Sequence, residues 1–185
     1  MVKTGRQFGW RGLMVVVFLI AAGRVNTYAQ TPGTAGDPAA PHDPRVRTDD
    51  LALSALIRQA TDQSATFRRL VAEIQATDGI VYVIRGRCGH YVRACLLLWM
   101  GAAGPNRMLR VVVDSDRTDI DTMALLGHEL RHALEVLAEP SVRTGAGMFN
   151  LYRRNGAAQR ETFETKAAIV ASDAVYRELK RSLKD

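Results

Sequence analysis

The residues best suited to chemistry lie in the stretch LLGHELRHALEVL, residues 125–137. His128 and His132 are four apart. On an α-helix they project from one face a turn apart, so both imidazoles can reach a single metal ion. Glu129 lies about 100° around that helix from His128, so it can stand beside the ion without ligating it. A carboxylate there is placed to take a proton from a water next to the metal. HELRH is short enough to arise by chance, and a helix whose polar residues simply face solvent is the plain alternative. Gly127 before the first histidine, small Ala133 after the second, and a β-strand directly ahead of the helix favour the metal reading.

Other elements must place that helix. In SDRTDIDTMALLGHELRHALEVLAEP, Thr118 followed three residues later by Asp121 resembles a capping box. A helix is therefore expected from near Asp119 to before Pro140. Upstream, Asp49 to Ala76 carries Leu51, Leu53, Leu56, Ile57, Phe67, Leu70, Val71 and Ile74 at helical intervals, which predicts one or two helices with a break near Ser64. DGIVYVIRG, RACLLLWMG and RMLRVVVDS then read as three strands. The first two are expected to pair as a hairpin, and the third to return antiparallel to the second across GAAGPN. SVRTGAGMFNLYRRNG begins as a loop, and a last helix is expected over roughly residues 157–183. The predicted fold class is α+β: a short, mostly antiparallel sheet of about three strands packed with the HELRH helix and a C-terminal helix.

With 185 residues and 47% hydrophobic content, the chain suits one domain with a real core. Its net charge of +6 is mostly a property of the first 29 positions, which hold Lys3, Arg6, Arg11 and Arg24 and no acid; the remainder has 21 basic and 19 acidic residues. Nucleic-acid binding loses its main support on that count. The same leader has an apolar run from Leu13 to Ala22 and small or short residues at Thr27 and Ala29, and reads as a signal peptide cut after Ala29. Ten apolar residues are half of the ~20 needed to span a bilayer, so membrane contact is expected only through an uncleaved leader. Residues 30–48 hold four of the six prolines and read as a flexible linker, leaving 49–185 as the folded domain. In an exported, secreted or periplasmic, chain Cys88 and Cys95 are best read as one disulfide, with a pair of reduced thiols or a metal site with His90 as the competing readings.

GHELRHALEV resembles the active-site helix of zincin metallopeptidases. The resemblance covers about residues 108–170 and is specific only over HELRH. It implies a small zincin-like domain that holds one zinc ion through His128 and His132, uses Glu129 as general base, and hydrolyses peptide bonds of a peptide or protein substrate. The longer pattern with a third histidine is excluded, because Glu135 stands at its glycine and Ala138 at that histidine. What remains is similar to the gluzincin arrangement, whose third ligand is a glutamate on a later helix. Of the two candidates, Glu164 falls on the apolar stripe of Ala167, Ala168, Ala171 and Val175 and is the expected ligand; Glu161, at the stripe's edge, is the alternative. Glu135 is expected beside the ligands, hydrogen-bonding an imidazole N–H or exposed. Tyr152 and His90 are candidate oxyanion donors by residue type alone. The NExxSD signature of the thermolysin branch is absent, with FETKAA in its place, which leaves the subfamily and substrate open. A secreted zinc-binding module without turnover is the alternative, against which the retained Glu129 counts.

Overall fold

A computed structural model describes residues 43–184 except 90–91, 156–157 and 160–161. The expected signal peptide, and the linker up to residue 42, lie outside the described residues, as do His42, His90 and Glu161. The described chain is mixed α/β, with five helices, a four-stranded mixed sheet and a small two-stranded ribbon. No helix among the described residues is long and apolar enough to cross a membrane.

Two helices open the domain, α1 (Leu51–Gln63) and α2 (Ala65–Gln75). Asp50 caps α1 by accepting hydrogen bonds from the backbone N–H groups of Ala52 (2.8 Å) and Leu53 (2.9 Å). Ser64 makes the expected break. Its N–H donates to the Ala60 carbonyl at the end of α1, and its hydroxyl oxygen accepts from Phe67 N–H (3.0 Å) at the start of α2. The Glu178 carboxylate completes this cap, accepting from the Ser64 hydroxyl (2.6 Å) and the Thr66 N–H (2.9 Å).

The main sheet departs from the expected three-stranded, mostly antiparallel form. Its strands are β1 (Val46–Arg47), β2 (Gly79–Arg85), β3 (Ala94–Ala103) and β4 (Asn106–Val113), in the spatial order β1-β2-β4-β3. Two of the three pairings, β1–β2 and β2–β4, are parallel; only β3–β4 is antiparallel. The β3–β4 return is as expected, turning at Gly104, whose φ of 61° lies in the left-handed region that glycine enters freely. The expected β2–β3 hairpin does not form, because β4 lies between the two strands. β2, an almost uninterrupted apolar run, is central, between β1 and β4. The expected linker also ends early, since Val46 is buried and pairs with Val81.

The loop from β2 to β3 arcs over the end of β4, with Gly86 N–H bonded to the Val113 carbonyl and Cys88 N–H to the Asp114 side chain. Cys88 and Cys95 form the expected disulfide across this loop, with Cα atoms 5.8 Å apart. Closing so short a loop is worth about 2–3 kcal/mol by chain entropy. The Cys88→Ala/Cys95→Ala chain is therefore expected to unfold at a lower urea midpoint than the oxidised parent, and an unchanged midpoint would refute that.

Three helices complete the domain: α3 (Ile120–Leu137), α4 (Gly145–Arg154) and α5 (Lys166–Ser182). Asp119 caps α3 by accepting from Thr122 N–H (3.0 Å), so the start and stop expected for this helix hold. Val81, Val83, Leu109, Val111 and Val113 alternate into a core shared with Phe67, Leu126, Leu130 and Val175. Gly127 lets α3 and α5 approach closely, since a Cβ there would lie 3.0 Å from Val175 Cγ2. The helix α4 falls where a loop was expected to begin. Gly145 suggests a loop in the sequence, yet it sits inside a helix because a side chain there would collide with the Leu98 carbonyl of β3. The expected helix over 157–183 is shorter, and the short strands β5 (Ala158–Gln159) and β6 (Thr162–Phe163) precede it.

Candidate metal centre

On α3, His128 and His132 face each other with ring centroids 4.7 Å apart and Nε2 atoms 3.1 Å apart. Glu164 arrives from the other side, its Oε1 3.4 Å from His128 Nε2. One ligand atom from each of the three residues lies within 4.8 Å of the others, so the group could hold a metal ion. Four-coordinate zinc with bonds of about 2.0–2.1 Å sets neighbouring ligand atoms roughly 3.3 Å apart, which two of these separations nearly match. Glu164 was expected on a helix and is not on one: it lies between β6 and α5, one residue before the α5 cap Thr165. The stripe that selected it from the sequence therefore does not exist at that position, and the packing of α5 on α3 brings the residue to the histidines instead.

The electrostatics suit cation binding. Burial, with the neighbouring His132 charge added, holds His128 below its ordinary value against the opposing pull of Glu164, which favours the neutral ring that ligates metals. Glu135 sits beside the candidate ligands as expected, its Oε2 3.0 Å from His132 Nδ1. That contact leaves His132 Nε2 facing His128 and Glu164, and a carboxylate behind a ligating imidazole fixes the ring and raises its basicity.

Glu129 is buried on the side of α3 that meets β3, and its Oε2 accepts the Leu96 N–H at 2.7 Å. Burial pushes its carboxyl up to about 7, against the lowering effects of His132 and the Leu96 N–H. A divalent cation at the adjacent histidines would draw it down again, because a nearby opposite charge favours the ionised form. Tyr152, a candidate oxyanion donor, instead donates its hydroxyl to the His132 carbonyl at 3.1 Å, while its ring stacks on Phe163. Its burial raises its pKa, and the arrangement braces α3 against α4.

Glu129, His132 and Glu164 open into a cleft of about 320 Å³ walled by Val92, Leu96, Leu98, Tyr152, Phe163 and the Cys88–Cys95 bridge. The strand β3 forms both the wall of this cleft and an edge of the sheet. Between Leu96 and Met100 its register shifts, so Leu97, Leu98 and Trp99 bulge opposite Arg110, whose guanidinium lies 4.2 Å from the Trp99 ring centroid. Sequence reasoning missed the Leu96 N–H and Phe163. A backbone donor in an apolar strand carries no residue-type signal, whereas Phe163 stands next to Glu164 in the chain. No family model, curated protein or solved structure matches this chain.

Proposed function

We propose that this protein is an exported zinc-dependent metallopeptidase with a zincin-like site, acting on an extended peptide laid along β3. The observation that carries the reading is the convergence of His128, His132 and Glu164 on one point, with the buried carboxylate of Glu129 beside it at the head of an apolar cleft. Two imidazoles and one carboxylate form a donor set typical of catalytic zinc, which keeps a fourth position open. Zinc bound there would supply Lewis acidity, acidifying water and polarising a carbonyl. Glu129 takes the proton of the attacking water as oxygen bonds to the peptide carbon. The C–N bond then breaks, and Glu129 returns the proton to the departing amine nitrogen. The position of β3 at the sheet edge supports the substrate class, because an extended chain can add to an edge strand through backbone hydrogen bonds. Glu164 enters from a loop and not from a helix, a departure from the gluzincin pattern that the liganding chemistry tolerates.

The metal content of the purified protein by elemental mass spectrometry tests this. About one zinc per chain is expected, with clear losses in His132→Ala and Glu164→Ala, since each removes one of three protein ligands. A folded parent that carries no metal and takes up no added zinc would end the metallopeptidase reading.

A further inference from the structure

Glu135 offers its two carboxylate oxygens to opposite halves of the proposed metal centre. On its own helix, Oε2 meets His132 Nδ1 at 3.0 Å. Across the helix interface, Oε1 accepts the Thr165 hydroxyl at 2.7 Å. Thr165 directly follows Glu164, and its Oγ1 also accepts the Ala168 N–H (3.1 Å) as the cap of α5. One hydroxyl therefore fixes the start of α5 and ties it to α3, while the preceding residue carries the carboxylate proposed as the third metal ligand. Burial opposes the charge on Glu135, but the hydrogen bonds from His132 and Thr165, with His132 and Arg131 nearby, outweigh it and hold the carboxyl below its ordinary value. Arg131 Nε lies 3.7 Å from Oε1 and has no hydrogen-bond partner among the described residues, so it contributes charge without competing for the bonding geometry.

Resting on the proposed metal centre, we infer that Glu135 and Thr165 form a brace that sets the distance between the histidine pair on α3 and Glu164 ahead of α5. Glu135 is thus a positioning residue with two separate duties. It fixes the His132 ring so that Nε2 faces the metal position. Through Thr165, it also holds the loop that delivers Glu164. Glu164 has 36% of its side chain exposed, so packing alone holds it weakly, and the brace is what removes its freedom to swing outward. The two ligand groups lie on segments 32 residues apart in the chain, so their spacing must be enforced by a contact of this kind.

The test measures zinc affinity by competition with a chromophoric chelator, together with the melting temperature of the zinc-free protein, for the parent, Glu135→Gln, Thr165→Val and Thr165→Ser. Glu135→Gln keeps the shape but loses the charge and one of its two acceptor contacts. It is expected to weaken zinc binding by about 10- to 100-fold, the range typical of partners behind a metal ligand. Thr165→Val is expected to weaken binding about tenfold, and Thr165→Ser, which keeps the hydroxyl, to restore it. The double variant Glu135→Gln/Thr165→Val should lose less than the product of the single losses, because both act through one contact. Glu135→Gln and Thr165→Val proteins that bind zinc within about twofold of the parent, a Thr165→Ser protein no better than Thr165→Val, or losses that multiply independently, would overturn the brace. So would affinity losses fully matched by loss of zinc-free stability, which would reduce Glu135 to a strut between helices. A parent that binds no zinc would overturn the metal centre itself, a failure distinct from parent-like affinity in the variants.

Discussion

Glu129→Gln should leave zinc bound and cut peptide hydrolysis by about 10²- to 10⁴-fold, the range general acid–base groups contribute. Glutamine has almost the same shape, and its carbonyl oxygen can still accept the Leu96 N–H that now meets Glu129 at 2.7 Å. None of the three side chains proposed to hold the metal is touched. What disappears is the ability to carry a proton, and in this mechanism Glu129 must do so twice, from water and then to the departing nitrogen. Folding should not suffer, because the substitution replaces a buried carboxyl with a neutral group in a pocket that already disfavours charge. The measurement is kcat/KM on a mixed peptide library alongside zinc content. Full zinc with lost turnover supports the assignment, whereas unchanged turnover would remove Glu129 from the mechanism. A zinc-loaded parent that cleaves nothing in the library would favour the zinc-binding module without turnover.

How much of this could be read from the sequence depended on how local each feature is. His128, Glu129 and His132 were legible because their placement needs only the pitch of one helix. The start of α3 and the break at Ser64 were legible for a similar reason, since their capping residues lie within a few positions, and the Cys88–Cys95 bridge was legible from the leader and the pairing of the two cysteines. Glu164 was identified through a helix that does not extend that far. The residue is at the site, but the packing of α5 on α3 puts it there, and an apolar stripe could not have shown that. The order of the strands was not legible, because nothing in three short apolar runs states that the third inserts between the other two. The short β1 was hidden by the prolines ahead of it, and α4 by Gly145 and Gly147 at its start, of which close packing against β3 requires Gly145. The Glu135–Thr165 contact joins residues 30 apart and depends wholly on tertiary structure.

Arg107→Met should destabilise the fold by about 2–4 kcal/mol, because it takes the hydrogen-bond donor from buried carbonyls and the partner from Asp78, whose side chain is 36% exposed. Arg107 on β4 is only 3% exposed. Its Nη2 donates to Asp78 Oδ1 (2.6 Å) and the Leu137 carbonyl (2.7 Å), and its Nη1 to the carbonyls of Glu139 (2.9 Å) and Val142 (3.2 Å). Those bonds satisfy carbonyls at and just beyond the C-terminus of α3, where the helix dipole is negative and the last carbonyls have no helical partner. Asp78 answers the charge, and the hydrogen bond from Arg107 is the main cause holding its carboxyl below the ordinary value. Methionine fills much of the same space but donates nothing, leaving the Leu137 and Val142 carbonyls without this donor, while the Glu139 carbonyl keeps the Val142 N–H and Asp78 keeps Arg143, 3.4 Å away. Lysine should recover part of the loss, because one ammonium cannot reproduce a planar fork bonded to several acceptors at once. Adding Asp78→Asn to Arg107→Met should also cost less than the two changes separately, since they share one interaction. The measurement is urea unfolding at fixed chelator concentration. Bound zinc at about 100 times its Kd would add about 2.7 kcal/mol by mass action and mask much of the difference. A loss below about 1 kcal/mol under those conditions would show that the α3 terminus does not depend on this guanidinium.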